Sequence, residues 1–150
     1  MRKLSRSSEE TMAFAENMAA SAEAGDIICL CGPLGAGKTA YAKGFARGLG
    51  IESHINSPTF TLMQVYINGR LPLYHFDLYR LMESLGEDAQ IDPDTLEGIG
   101  FFEYLEADGV CLIEWAEYAK DVIPDGAHWL EIKVKENGRE IVTGEGIGKS

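Results

Sequence analysis

The sequence predicts an α/β layered domain, with a mainly parallel central sheet, helices on both faces and antiparallel hairpin additions. Three observations carry this expectation. Gly32-Pro33-Leu34-Gly35-Ala36-Gly37-Lys38-Thr39 fits the phosphate-binding pattern G-x-x-x-x-G-K-[ST], and it lies between the apolar run Ile27 to Cys31 and a helix-prone stretch from Ala40 to Leu49. A second unbroken apolar run, Val110-Cys111-Leu112-Ile113, ends in Glu114, as expected of a central strand covered on both faces. Asn68-Gly69-Arg70 and Asn137-Gly138 each join two β-prone runs, which is a hairpin signal.

The elements follow in chain order. Ser7-x-x-Glu10 is a capping-box pattern, after which Met12, Ala15, Met18, Ala19 and Ala22 recur at helical spacing until Gly25. The strand at Ile27 to Cys31, the glycine-rich loop and the helix from Ala40 come next, and Gly48 and Gly50 break that helix. Ile51 to Ser57 reads as a loop or short strand leading to Pro58. Thr61 to Ile67 and Leu71 to Asp77 read as paired strands, and Leu78 to Leu85 as a short helix. Asp92-Pro93 starts a turn running toward Leu96, and the segment from Gly98 to Leu105 continues as a short helix before Asp108-Gly109. The buried strand to Ile113, the hairpin of Trp129 to Lys135 with Arg139 to Thr143, and a frayed tail from Gly144 to Ser150 complete the chain. No internal repeat or linker interrupts it. A length of 150 residues suits one domain, 1–150, with a core of its own but no room for a separate substrate domain.

Charge is distributed unevenly. The formal net charge is -11. Between Leu81 and Ala119 stand Glu83, Glu87, Asp88, Asp92, Asp94, Glu97, Glu103, Glu106, Asp108, Glu114 and Glu117, with no Lys or Arg among them. Such a surface repels a phosphate backbone, so tight direct binding of tRNA or other nucleic acid is not expected of it. It is either a solvated face or a dock for a basic partner. No apolar stretch reaches the roughly 20 residues of a membrane span, and the basic N-terminus leads into Ser7-Ser8-Glu9-Glu10 instead of an apolar signal core. A cytoplasmic location is expected. Cys29, Cys31 and Cys111 fall in strand-like runs without metal or redox spacing, and His54, His75 and His128 are too scattered to suggest a ligand set.

The glycine-rich loop carries the chemistry. Its glycines allow a tight turn that aims backbone N–H groups at phosphate oxygens, Lys38 is suited to the β/γ-phosphates, and the Thr39 hydroxyl is suited to Mg²⁺ at the positive end of the helix. ATP or ADP with Mg²⁺ is therefore the expected ligand, and Lys38 is expected to face solvent in the free protein. A loop of this kind needs an acid opposite it to hold the metal. Glu114, directly after a buried strand, stands where a Walker B acid would; Asp77, at the end of the other inner strand, is a second acid that could equally cap the Leu78 helix. Arg80 is the nearest arginine that could neutralise transferred charge, although an ion pair with a neighbouring acid suits it better. No residue stands out as the group that orients attacking water.

Four segments in order, the loop itself, Asn56-Ser57-Pro58-Thr59-Phe60-Thr61-Leu62, His75-Phe76-Asp77-Leu78-Tyr79-Arg80 and Ile113-Glu114-Trp115-Ala116-Glu117, make roughly residues 7 to 135 resemble the TsaE (YjeE) family of small bacterial ATPases needed for threonylcarbamoyladenosine formation in tRNA. The resemblance implies a P-loop NTPase topology and binding to a complex of two homologous proteins, TsaB and TsaD, which ATP hydrolysis resets. Carried over by position, it implies phosphate and nucleotide contacts along Gly32 to Thr39, metal or metal-water contacts at Thr39, Asp77 and Glu114, a switch-like loop at Thr59, and Trp115 beside the site. The family commonly has a second hydroxyl residue after the loop threonine; this chain has Ala40, and the contact to the α-phosphate is expected to be lost. Two other readings fit a loop of this type. A small-metabolite P-loop kinase would need a lid bearing arginines, and the base-free window falls where that lid would be. A nucleotide-gated binding module, with hydrolysis incidental, fits equally well.

Overall fold

The computed structural model describes residues 1–52, 62–83, 85–86 and 89–144, arranged around one seven-stranded sheet. The strands are β1 (Arg2–Ser5), β2 (Ile27–Cys31), β3 (Met63–Tyr66), β4 (Leu73–Asp77), β5 (Val110–Glu114), β6 (His128–Lys135) and β7 (Gly138–Thr143), and their spatial order is β1-β7-β6-β2-β5-β4-β3. The inner four, β6, β2, β5 and β4, run parallel. Antiparallel pairs close both sides: β3 on β4, and β7 on β6 followed by β1 on β7. The expected mainly parallel sheet with hairpin additions is what forms.

Sequence pattern explains the inner strands. All five residues of β2, of β4 and of β5 are buried, which is how a strand covered by helices on both sides must read. One face carries Ile28, Leu30, Leu73, Val110, Leu112 and Leu130 beneath the helices α1 (Ser8–Ala20) and α2 (Lys38–Gly48). The opposite face carries Cys29, Cys31, Phe76, Cys111 and Ile113 beneath α3 (Tyr79–Met82), α4 (Pro93–Gly98), α5 (Phe101–Leu105) and a 3₁₀ segment at Ala116–Val122. The three cysteines are buried free thiols; burial pushes Cys111 up to about 12 and raises Cys31 further still, so both stay protonated.

Two helices set the stage for the site. α1 begins at the N-cap Ser7, whose hydroxyl accepts from the Glu10 N–H at 3.1 Å, while the Glu10 carboxylate reaches back to the Arg6 N–H at 2.6 Å. The return bond thus falls one residue before the cap. Its C-terminus is closed by the Ser21 and Ala22 N–H groups and then reinforced from a distance, where the Arg70 guanidinium in the β3–β4 turn donates to the Ala19 and Ala22 carbonyls at 2.8 and 3.1 Å. α1 and α2 touch backbone to backbone: a Cβ placed on Gly44 would lie 2.1 Å from the Met12 carbonyl oxygen, and one on Gly48 would lie 2.5 Å from that of Glu16. This close crossing brings the first turn of α1 over the N-terminus of α2.

The structure differs from the sequence expectations in detail. β1 was not anticipated. Three of its four residues are exposed, and only the fourth, Ser5, turns inward to share a 2.6 Å hydrogen bond with Thr11, so the strand has no internal apolar alternation to reveal it. The expected helix Leu78 to Leu85 is the single turn of α3. The expected loop or strand at Ile51 to Ser57 lies mostly outside the described residues, as does most of the expected frayed tail.

Candidate functional site

A cavity of about 510 Å³, within the range of small-molecule sites, opens at the carboxyl ends of β2, β4 and β5. Leu34, Gly35, Gly37, Lys38, Thr39 and Ala40 line it from the glycine-rich loop and the first turn of α2. Asp77 and Tyr79 enter from β4 and α3, Glu114 and Trp115 from the end of β5, and Ser8, Met12 and Lys43 from the two helices above. The three sequence segments that the description covers thus meet in one space. Thr59 lies outside the described residues.

The loop is built to present donors. Gly37, the N-cap of α2, has φ 108°, and Gly35 has φ 78°, conformations that an L side chain strains to adopt. The N-cap has no side chain, so the first N–H groups of α2 are not consumed by a capping oxygen and remain directed at the cavity. Behind the loop, the Arg139 guanidinium from β7 donates to the Ala36 and Gly35 carbonyls at 3.2 and 3.3 Å. These bonds tie the loop to β7, and the Ala36 N–H closes a turn on the Pro33 carbonyl at 3.1 Å.

Lys38 departs from expectation. It is only 5% exposed: its ammonium donates to the Gly32 carbonyl at 2.7 Å and lies 3.4 Å from the centre of the Trp115 indole. Trp115 reaches this position because its backbone takes the left-handed conformation, φ 62° and ψ 34°, immediately after β5, which swings the ring back over the loop against Tyr79, 5.3 Å away. Burial draws the Lys38 ammonium below the ordinary lysine range, and the charges of Glu114, Glu117 and Asp77 oppose that pull. Glu117, three residues beyond Glu114, is itself raised by burial against the counter-effects of its own backbone N–H, Lys38 and Cys31.

The acids are equally constrained. Asp77 and Glu114 stand opposite one another in the parallel register of β4 and β5, and both are buried, at 4% and 3% exposure. Asp77 Oδ1 accepts from the Tyr79 N–H at 3.0 Å, an Asx-type turn one residue ahead of Leu78, the N-cap of α3. Leu78 has no side-chain cap bond, so the expected capping by Asp77 takes the form of this turn; Asp77 also lines the cavity. Glu114 Oε2 lies 2.6 Å from His75 Nε2, two residues below Asp77 on β4. Arg80 is exposed and is not among the residues lining the cavity.

Some site residues escaped sequence reasoning. Lys43 follows Thr39 by one helical turn and was discoverable from periodicity. Tyr79 belongs to the His-x-Asp-x-Tyr-Arg segment but carried no assigned role. Ser8 and Met12 reach the cavity only through the tight α1–α2 crossing, and Arg139 through the register of β7; neither leaves a local signal. The acidic window divides as well. Glu83, Asp92, Asp94, Glu97, Glu103, Glu106 and Asp108 are exposed, Glu114 is buried and Glu117 half-buried within electrostatic reach of Lys38, and Glu87 and Asp88 lie outside the described residues.

Residues 5–141 match the model of the family described as threonylcarbamoyl adenosine biosynthesis protein TsaE. The chain is 45% identical to the tRNA threonylcarbamoyladenosine biosynthesis protein TsaE of Bacillus subtilis over 130 residues, which is 87% of this chain and 74% of that one. It is 38% identical to the protein of the same description from Treponema pallidum over 143 residues, covering 95% and 98% of the two chains. Its fold superposes on the crystal structure of Bacillus subtilis YdiB with a TM-score of 0.75 at 40% identity, covering 95% of this chain and 83% of that one.

Proposed function

The chain belongs to the TsaE family of tRNA threonylcarbamoyladenosine biosynthesis, and on that premise we propose that it is an ATPase serving the threonylcarbamoyladenosine machinery. The observation that carries this reading is the meeting of Lys38, Thr39, Asp77 and Glu114 in one cavity at the open N-terminus of α2. Triphosphate would lie along Gly32 to Thr39, with the N–H groups of Gly35 and of Gly37 to Thr39 and the Lys38 ammonium neutralising its charge, the Ala36 N–H being taken by the Pro33 carbonyl. Lys38 would leave the Trp115 ring to do so. Met12 and Ser8 close the same cavity from above and are suited to the nucleoside end.

The donor set fits Mg²⁺. Among the described residues no cluster of three or more His, Cys, Asp or Glu side chains forms a complete metal cage. A hydroxyl at Thr39 and acids at Asp77 and Glu114 are instead what Mg²⁺ uses when phosphate and water supply its remaining ligands. When bound, the ion neutralises charge developing on the phosphoryl oxygens. The cations lining the cavity are Lys38 and Lys43. We therefore expect slow hydrolysis by the chain alone and stimulation by a TsaB–TsaD complex, which hydrolysis would reset, in the cytoplasm. Among the described residues no helix is long and apolar enough to cross a membrane.

The test is substitution of Lys38. Because its stem is buried, Lys38→Met preserves volume better than Lys38→Ala. The variant should fold as the parent does and lose ATP binding and turnover, with and without TsaB and TsaD. Turnover at the parent rate would remove the glycine-rich loop from the mechanism.

A further inference from the structure

The pairing of His75 with Glu114 has no evident value to the fold. Both side chains are buried, at 0% and 4% exposure, and their contact is 2.6 Å between Nε2 and Oε2. The other imidazole nitrogen, Nδ1, is buried and has no hydrogen-bond partner among the described residues. Taking a carboxylate and an imidazole out of water is costly, and apolar residues of similar volume at such sites are often at least as stabilising. Retaining one polar contact while leaving the opposite ring nitrogen unsatisfied is a poor structural bargain. It is the arrangement needed if the orientation of the Glu114 carboxylate matters.

The geometry is specific about that orientation. β4 and β5 run parallel, with His75 opposite Leu112 and Asp77 opposite Glu114, so His75 lies one side-chain step deeper in the sheet on the same face. The contact joins Nε2 to one carboxylate oxygen, Oε2, and with the ring proton on Nε2 it is a hydrogen bond donated to Glu114. Glu114 at the same time lines the cavity together with Thr39 and Asp77.

We propose that His75 is a positioning residue: by donating from Nε2 to Glu114 Oε2, it fixes the acid that receives Mg²⁺ or one of its water ligands. The inference rests on the ATPase reading above and deepens it. Groups that orient a metal-binding carboxylate typically govern about 10- to 100-fold in metal affinity.

The experiment measures, by calorimetry, binding of a non-hydrolysable ATP analogue with Mg²⁺ and in EDTA, together with thermal unfolding. His75→Leu should raise the Mg²⁺ concentration needed for half-maximal tightening of nucleotide about tenfold or more while leaving affinity in EDTA as in the parent. His75→Gln, whose amide nitrogen can take the place of Nε2, should restore most of the Mg²⁺ effect. His75→Leu combined with Glu114→Gln should bind Mg²⁺ no worse than Glu114→Gln alone and unfold at a higher temperature than His75→Leu, which leaves a buried carboxylate unpaired. If His75→Leu does not fold, His75→Asn, whose amide falls at Nδ1 and misses Glu114, is measured in its place. Parent-like Mg²⁺ dependence in the variant lacking the donor would overturn the role of His75 and leave the ATPase reading intact. A parent protein that binds no nucleotide, or binds it without regard to Mg²⁺, would overturn both.

Discussion

Replacing Gly44 with alanine tests how the helix above the cavity is held. Alanine is the better helix former by about 0.8–1 kcal/mol, so propensity alone predicts a more stable protein. The structure predicts the reverse. The new Cβ would lie 2.1, 2.6 and 2.7 Å from the Met12 carbonyl oxygen, Cα and carbonyl carbon, all of them backbone atoms that no rotamer change can move. Restoring an ordinary contact of about 3.4 Å requires α1 to retreat by about 1.3 Å, the difference between 3.4 and 2.1. Overpacking of this kind costs about 1–3 kcal/mol, and rigid helix against rigid helix belongs at or above the upper end. After subtracting the propensity gain, about 2 kcal/mol of destabilisation remains, or roughly 4–8 °C in Tm for a chain of this size. Gly98→Ala is the control: it is also helical, and nothing lies within 4 Å of its would-be Cβ. Urea unfolding should separate the two variants in sign. A Gly44→Ala protein as stable as the parent would mean that α1 and α2 do not cross at this distance, and the placement of Ser8 and Met12 over the cavity would fall with it.

The other expectations concern the site and its surroundings. Arg139→Gln removes both bonds to the loop carbonyls and should weaken nucleotide binding severalfold, with about 1 kcal/mol or less lost in stability; unchanged affinity in calorimetry would show that the loop holds its shape unaided. Glu117 has its folded pKa raised above the unfolded value, so its favourable contribution is fully present below about pH 4.5 and is lost as pH rises through the folded value. Glu117→Gln should therefore gain Tm relative to the parent between acid and neutral pH, and a constant difference across that range would count against burial as the cause. Trp115 lies on the Lys38 ammonium, whereas Trp129 belongs to β6, so the fluorescence of Trp129→Phe should respond to ADP; a response confined to Trp115→Phe would place the nucleotide elsewhere. Exposed charges contribute about 0.2–1 kcal/mol each, so neutralising Glu83, Asp92, Asp94 and Glu97 together, and not singly, should slow association with TsaB–TsaD and flatten its salt dependence, and should alter displacement by tRNA. Unchanged rates in the presence and absence of tRNA would leave that face a solvated surface.

The legible parts of the sequence were those whose cause is local. The glycine-rich loop, the apolar strands β2 and β5 and the Asn-Gly turns each encode a conformation within a few residues, and they led to the sheet and to Lys38, Thr39, Asp77 and Glu114. What escaped depends on residues distant in sequence. β1 exists because β7 offers it a ladder. The burial of Lys38 follows from the left-handed turn at Trp115, which no β-prone or helix-prone pattern announces. His75, one of three scattered histidines, gains its meaning from the register of β4 against β5, a relation between segments 39 residues apart.

The reach of Arg70 has a consequence for how the molecule assembles. α1, β2 and α2 are contiguous, and their packing can begin as soon as the chain has passed Gly48. The Ala19 carbonyl is met locally by the Ala22 N–H, but its second bond and that of the Ala22 carbonyl come from a guanidinium 51 and 48 residues downstream, in the β3–β4 turn. Asp77 ends the strand that follows the same turn. The turn that ties down the far end of the first helix is therefore also the one from which the strand bearing Asp77 sets out, so a single connection fixes α1 and aims β4 at the cavity.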